Sequence, residues 1–420
     1  MAAARAAEAG YTLLVASHCS GFLQWQSNVT LPDGSPYPCV RDFMHLIDFI
    51  ARPRRRAGWG GGGGTHVHLR RRRRIATRYT VAQSAWKGGK GDIVAEYVAS
   101  SVEWGLPFGF YLTWNYNYLF NWGPNGFAKV PLQPGQVNVS TEGYRATMLA
   151  TIAEVWGRYP GAITEIWFDG GENNVAMNDL IARLQPQAVA VDGTLVPNIA
   201  RLVGKESGFA PYPVWSTDVA RARDGSGDPD GGVFVPAEAD TPVAVGDAWF
   251  WKPATAYRPL SELKAVYRNT VGANALLELG VLPDDTGNIP ADQMSVLQAL
   301  GDYIRGCHSP AAAANRTSGA GATIRLDFPV ASVDRVILQE DQARGQLVRA
   351  FTVLALPQGG YAPEPVVVAE GTAIGNKRIL YFASGPITAT AIIVNATALA
   401  PGHASANWLN VAVYAPCPLE

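Results

Sequence analysis

From residue 11 to about residue 300 the chain alternates between two hydrophobic rhythms. Short continuous apolar runs, rich in β-branched and aromatic residues, read as strands buried on both faces. Longer stretches with apolar positions three and four apart read as amphipathic helices. YTLLVASH (11–18), FGFYLTWNY (108–116) and TEIWFDGG (164–171) are of the first kind, and the first of them is expected to follow a short helix in MAAARAAEAG. IVAEYVASSVEWG (93–105), with Asp92 as its cap and Gly105 as its stop, is of the second kind. YRATMLATIAEVWGRYP (144–160), PLSELKAVYRNTVG (259–272) and PADQMSVLQALGDYIRG (290–306) are further helices. Buried strands separated by helices predict a parallel sheet, and the length suits a (β/α)8-like TIM barrel.

Past residue 308 the rhythm changes. The Ala- and Gly-rich residues 309–321 read as a linker. Beyond them TIRLDFP, SVDRVILQE, FTVLALP, PVVVAEG, KRILYFAS, TATAIIVNA and NVAVYAP alternate at period two with turn residues between them. That pattern predicts an antiparallel β-sandwich over 322–420, behind a barrel over 1–308. Residues 39–78 fit neither domain. They contain RPRRRAGWGGGGGTHVHLRRRRR, a glycine run between arginine clusters, without any periodic apolar position to anchor it. A structureless insertion is favoured over a polyanion-binding arm, and the His66/His68 pair inside low complexity is a poor metal site.

Composition narrows this picture only in places. Charged residues are 16% and the net charge is −1, so no overall field draws nucleic acid. No apolar run reaches about 18 residues, so no membrane span is expected. The apolar N-terminus mimics a signal peptide, but Glu8 and Gly10 interrupt it. Sequons at Asn28, Asn138, Asn315 and Asn395 modestly favour a secretory route. Cys19, Cys39, Cys307 and Cys417 lack metal-like spacing; a Cys307–Cys417 bridge and free thiols are equally open. No metal and no cofactor is expected.

Polar residues at the C-terminal ends of barrel strands face the mouth where chemistry occurs. His18 and Asp169 end strand-like runs, Tyr111 lies within another, Arg201 falls in VPNIARLVG, and Glu238 in FVPAEAD precedes Trp249 and Trp251. Two carboxylates beside a His, an Arg and several rings suit glycoside hydrolysis: one carboxylate attacks while the other protonates the departing oxygen. An Asp at a strand end is also an ordinary cap or ion-pair partner.

These residues lie in blocks that resemble the α-L-fucosidases, a retaining family of glycoside hydrolases. ASHCSGFLQWQSNVT is similar to the family's AKHHDGFCLWPSKYT, and YTVAQSAWKGGKGDIV (79–94) to the block that follows it there. FGFYLTW and TEIWFDGG resemble two of its strands, the second carrying its nucleophile. RLVGKESGFAPYPVWST, FVPAEADTPVAVGDAWFW and NALLELGVLPDDTGNI resemble later blocks of the plant-like branch, and LQEDQARGQLVRAFTVLAL and EGTAIGNKRIL extend the resemblance into the sandwich. The resemblance implies a fucosidase acting on fucosylated oligosaccharides or glycoprotein glycans, with Asp169 as nucleophile and Glu238 as acid/base. His18, Trp25, Tyr111, Trp167, Arg201 and Trp249 would bind the fucose. It also implies a secreted, apoplastic or lysosomal/vacuolar location.

The sequence departs from that pattern in places. Cys19 and Ser20 stand where the family has His and Asp, Lys205 and Asn115 replace an Asn and an Asp, and the family's first strand motif is not found ahead of HCSGF. A missed first exon and a translated intron at 39–78 are expected to explain the two gaps in the match. The alternative function is a catalytically impaired fucose-binding protein on the same scaffold.

Overall fold

The computed structural model describes residues 1–35, 37, 80–123, 126–127, 131–133, 136–169, 175–191, 198–218, 225–246, 248–359, 364–406 and 408–420. The segment 39–78, with Cys39 and the His66/His68 pair, lies outside the described residues. The chain separates into two compact units, Tyr11–Val196 and a second made of Met1–Gly10 with Pro197–Glu420. The first helix, α1 (Ala2–Ala6), belongs to the second unit.

The unit Tyr11–Val196 carries four parallel strands, β1 (Thr12–Ser17), β2 (Phe108–Thr113), β3 (Glu165–Asp169) and β4 (Val189–Val191). They pair in that order. Helices α2 (Ile93–Glu103), α3 (Thr141–Trp156) and α4 (Val175–Leu184) connect them. The Asp92 carboxylate accepts from the Ala95 amide at 2.8 Å, and Ser140 Oγ accepts from Gly143 at 3.0 Å, so both helices start on side-chain caps. Gly109 lets β2 approach β3, because a Cβ there would lie 2.6 Å from the Glu165 carbonyl oxygen. β2 and β3 are buried almost throughout, as their unbroken apolar runs predict. β1 is not: Thr12–Leu14 are half-buried and Val15 is exposed. It pairs with β2 alone among the described residues, and an edge strand hides less of itself.

The second unit has three parallel strands in the order β5 (Ile199–Val203), β6 (Ala237–Pro242), β7 (Ala275–Gly280), with helices α5 (Leu260–Thr270) and α6 (Ala291–His308). α1 lies on α6 at Gly301, where a Cβ would come 1.7 Å from the Ala6 carbonyl oxygen. Parallel strands joined by helices, four in one unit and three in the other, are of the (β/α) barrel class.

Eight antiparallel strands follow: β8 (Asn315–Gly319), β9 (Thr323–Val333), β10 (Arg335–Glu340), β11 (Val348–Pro357), β12 (Val366–Gly371), β13 (Arg378–Tyr381), β14 (Ile387–Leu399) and β15 (Leu409–Tyr414). They form sheets β8-β15-β10-β13 and β9-β14-β11-β12, whose inward residues, Leu326, Val336, Phe351 and Ile392 among them, make one apolar core. The stretch 309–321, read as a linker, contains β8, paired to β15 from Asn315↔Val413 to Gly319↔Leu409. Its polar sequence NRTSG gave no alternation to read.

The sandwich is fixed to the strands and helices ahead of it. Buried Arg335 donates to the carbonyls of Cys307 and Ala415, both at 2.8 Å. The Tyr212 hydroxyl accepts from the amides of Thr372 and Ala373 at 2.9 and 3.1 Å. Cys307, in the last turn of α6, is disulfide-bonded to Cys417, which settles the pairing left open by sequence.

Candidate active site

Register and the period-two alternation of strands decide which side chains meet in the unit Tyr11–Val196. β2 and β3 pair Tyr111 with Trp167 and Thr113 with Asp169, so these four share one face. Phe110, Leu112, Ile166 and Phe168 take the other face and are fully buried. His18, just past β1, stacks on Tyr111 with ring centroids 5.4 Å apart, and Tyr111 stacks on Trp167 at 5.1 Å. The Tyr111 hydroxyl donates to Asp169 Oδ2 at 2.7 Å, and Thr113 Oγ1 stands 3.5 Å from that hydroxyl. Asp169 is thus the last residue of its strand, half-buried and oriented by a phenol.

Burial dominates the electrostatics of this cluster. It lowers the His18 pKa, with the Asp169 charge opposing, which favours the neutral imidazole. It raises the Cys19 thiol to about 11, with the Asp169 charge adding to the effect, so the thiol is protonated near neutrality. Tyr111 is raised well above the usual phenol range by burial first and by Asp169 second, which keeps it a hydrogen-bond donor. The ligand atoms of His18, Cys19 and Asp169 lie within 4.8 Å of one another. Trp25, expected as a ring wall, is fully buried instead, and its indole N–H is committed to Glu154 Oε2 at 2.7 Å.

In the second unit, register sets Glu238 between Leu202 and Leu276, with Asp240 two positions on beside Glu278. Arg201 pairs with Ala237 and therefore occupies the opposite face. Its buried guanidinium donates to the carbonyls of Trp215, Gly225 and Val235 at 2.5, 2.6 and 3.3 Å. The structure thus makes Arg201 a holder of the chain between β5 and β6, and does not bring it to the Glu238 face. Glu238 itself is fully enclosed at the second position of β6.

One carboxylate missed by the sequence reading stands past the end of β5. Lys205 and Glu206 both adopt left-handed backbone, with φ of 49° and 61°. Non-glycine residues rarely hold that conformation without a reason, and strain of this kind collects at functional sites. The exposed Glu206 carboxylate accepts from the Trp249 indole N–H at 3.2 Å. Trp249 lies against the end of β7, where a Cβ on Gly280 would meet its ring at 2.8 Å. The signal was present in GKESG directly after an apolar strand, but one Glu past a strand end does not distinguish itself by pattern.

Parallel strands with helices between them, carboxylates at or past their C-terminal ends and a trailing sandwich define a strand-end-site (β/α) barrel protein. Within that class, the family model described as Alpha-L-fucosidase matches residues 76–307, more than half of the chain, and the chain belongs to that family. It is 33% identical over 359 residues to a protein of Oryza sativa subsp. japonica named as an alpha-L-fucosidase 1, covering 73% of this chain and 64% of that one. It is 27% identical over 358 residues to alpha-L-fucosidase 1 of Arabidopsis thaliana, covering 73% and 66%. The chain therefore spans just under two thirds of the length of these curated relatives. Its structure is similar to the crystal structure of a protein classed as an alpha-L-fucosidase from Bacteroides thetaiotaomicron VPI-5482. The TM-score is 0.77 at 26% identity, over 99% of this chain and 86% of that one.

Proposed function

We propose that the protein is a retaining α-L-fucosidase that removes terminal fucose from fucosylated oligosaccharides or glycoprotein glycans. The observation that carries this reading is Asp169, oriented by the Tyr111 hydroxyl at 2.7 Å beside stacked rings at the end of β3. Asp169 attacks the anomeric carbon as the glycosidic C–O bond breaks, and a second carboxyl gives its proton to the departing oxygen. The resulting carboxylate then takes a proton from water, which attacks the same carbon and frees Asp169. His18 and Trp167 supply a polar edge and an apolar face for a deoxy sugar.

The acid/base role assigned to Glu238 passes to Glu206 in this reading. The leaving group is a glycan that extends into solvent, and a proton donor must touch its oxygen. Glu206 is exposed and held by Trp249, whereas Glu238 is enclosed between two leucines in register. Glu238 keeps a place inside the barrel face. The division into a barrel over 1–308 and a sandwich is kept, with the sandwich starting at β8 (Asn315–Gly319) rather than at 322 and bracing α6 through Arg335. A secretory route, to the apoplast or a lysosomal/vacuolar compartment, is supported by the Cys307–Cys417 bridge and by exposed Asn28 and Asn138 in their sequons.

The test uses an aryl α-L-fucoside with azide as a nucleophile that needs no base. Asp169→Gly is expected to lose turnover by about 10³-fold or more and to form fucosyl azide of inverted configuration. Glu206→Ala is expected to form fucosyl azide of retained configuration, because the covalent intermediate still forms. Wild-type turnover in Asp169→Gly would sink the proposal. Retained azide product from Glu238→Ala, with none from Glu206→Ala, would return the acid/base role to Glu238.

A further inference from the structure

The cluster at the ends of β1 and β3 includes a donor that hydrolysis does not require, the Cys19 sulfur. His18 offers an imidazole nitrogen, Cys19 a sulfur and Asp169 a carboxylate oxygen, all within 4.8 Å of one another. We propose that His18, Cys19 and Asp169 form a binding site for a zinc-class divalent cation, and that occupation of the site switches off Asp169 as nucleophile. The second half rests on the function proposed above; the first half rests on geometry alone.

One nitrogen, one sulfur and one oxygen donor, with a fourth position left to water, are the ligands of an open zinc site, and the sulfur selects against magnesium and calcium. Bond lengths of about 2.0–2.3 Å in a tetrahedron place ligand atoms about 3.3–3.8 Å apart. The observed spread therefore closes by about 1 Å, within reach of side-chain rotation. All three residues are half-buried, so an ion can enter and is then partly shielded from water. Tyr111, donating to Asp169 Oδ2, orients the carboxylate as an outer-shell partner orients a metal ligand. Thr113 Oγ1, 4.0 Å from Cys19 Sγ, stands beside the sulfur. On binding, the thiol releases its proton to the buffer as the metal–sulfur bond forms, and no electron changes hands. With one carboxylate oxygen on the cation and the other accepting from Tyr111, Asp169 is held off the sugar carbon and its negative charge is neutralised.

The full chain, stripped of metal by chelator and dialysis, is titrated with Zn²⁺ alone against a chromogenic chelator. Wild type is expected to bind one ion at this site, and Cys19→Ser to bind it at least ten-fold more weakly. Asp169→Asn is expected to weaken binding similarly, which gives a second reading should Cys19→Ser fold poorly by circular dichroism. Zn²⁺ is expected to suppress aryl-fucoside turnover with the midpoint of the binding curve, reversibly by chelator, and Cys19→Ser to need at least ten-fold more metal. The double variant His66→Ala/His68→Ala is expected to bind as wild type does. Equal Zn²⁺ affinity in wild type, Cys19→Ser and Asp169→Asn overturns the site, as does loss of binding in the His66/His68 variant. Binding as expected with no turnover by the metal-free protein leaves the cation site standing and removes the fucosidase reading instead.

Discussion

At the scale of single residues, what a polar side chain does depends on the face of the strand that carries it. Tyr111 and Asp169 share a face and a 2.7 Å hydrogen bond. Such a bond to a charged group contributes about 1.5–3 kcal/mol, and Tyr111→Phe removes it while keeping the ring stack. Turnover of an aryl fucoside per folded molecule of Tyr111→Phe is expected to fall roughly 10- to 100-fold, beyond any loss explained by a lower unfolding midpoint. A fall in the midpoint with normal turnover per folded molecule would make Tyr111 a packing residue. Arg201 is the contrasting case. It spends its guanidinium on three backbone carbonyls, so Arg201→Met is expected to cost about 2–4 kcal/mol of stability by stranding buried acceptors. Chemical denaturation checks this. An undiminished midpoint with a raised KM would restore Arg201 as a sugar ligand.

At the scale of elements, local chemistry governs where helices and strands begin, and it explains what the sequence reveals. Asp92 was readable as a cap because a capping side chain sits at a fixed offset from an apolar rhythm, and the structure places its carboxylate 2.8 Å from the Ala95 amide. Asp92 also carries the ion pair with Arg158. Asp92→Ala is expected to cost about 1–2 kcal/mol, mostly from the lost cap, and Asp92→Asn to recover most of it. Equal losses in the two variants would assign the effect to the ion pair. By the same logic β2, β3, α5 and α6 were legible, because burial on both faces or on one stripe writes itself as periodicity. β8 was not, since NRTSG is an edge strand whose order comes from its partner β15. The site was legible to the extent that it lies on strand ends: Asp169, Tyr111, His18 and Trp167 are together as expected. Arg201 and Trp25 were misplaced because facing and burial depend on register and on distant partners such as Glu154. Glu206, proposed above as acid/base, did not stand out in the sequence because its distinguishing feature is a backbone conformation, which residue types do not encode.

At the scale of the second unit as a whole, α6 and the sandwich meet around a buried histidine, and this gives stability a dependence on pH. His308 ends α6, lies within reach of the rings of Tyr267, Tyr303 and Tyr381, and contacts the Tyr381 hydroxyl at 3.1 Å. Burial, reinforced by the charges of Arg335, Lys377 and Arg268, lowers its pKa to about 3. The unfolded chain holds this imidazole at about 6.5, so between those values the unfolded state binds the proton and the folded state does not. Stability from His308 is therefore complete above about pH 6.5 and is lost progressively as pH falls toward 3. Asp334, whose carboxyl is raised by burial, works in the other direction, so the informative quantity is the difference between wild type and His308→Gln. Each pH unit in the window is worth at most about 1.4 kcal/mol, which gives an upper bound of about 3 kcal/mol between pH 6.5 and 4. Urea unfolding at intervals from pH 7.5 to 4 is expected to show wild type losing its advantage over His308→Gln across that window. The bridge from Cys307, which spans a sequence separation of 110 beside this histidine, is common to both proteins, so with no reductant in the buffers it cancels from the comparison. Parallel pH curves for the two proteins would mean that His308 protonates in the folded state as readily as in the unfolded one, and that burial in this unit does not exclude its charge.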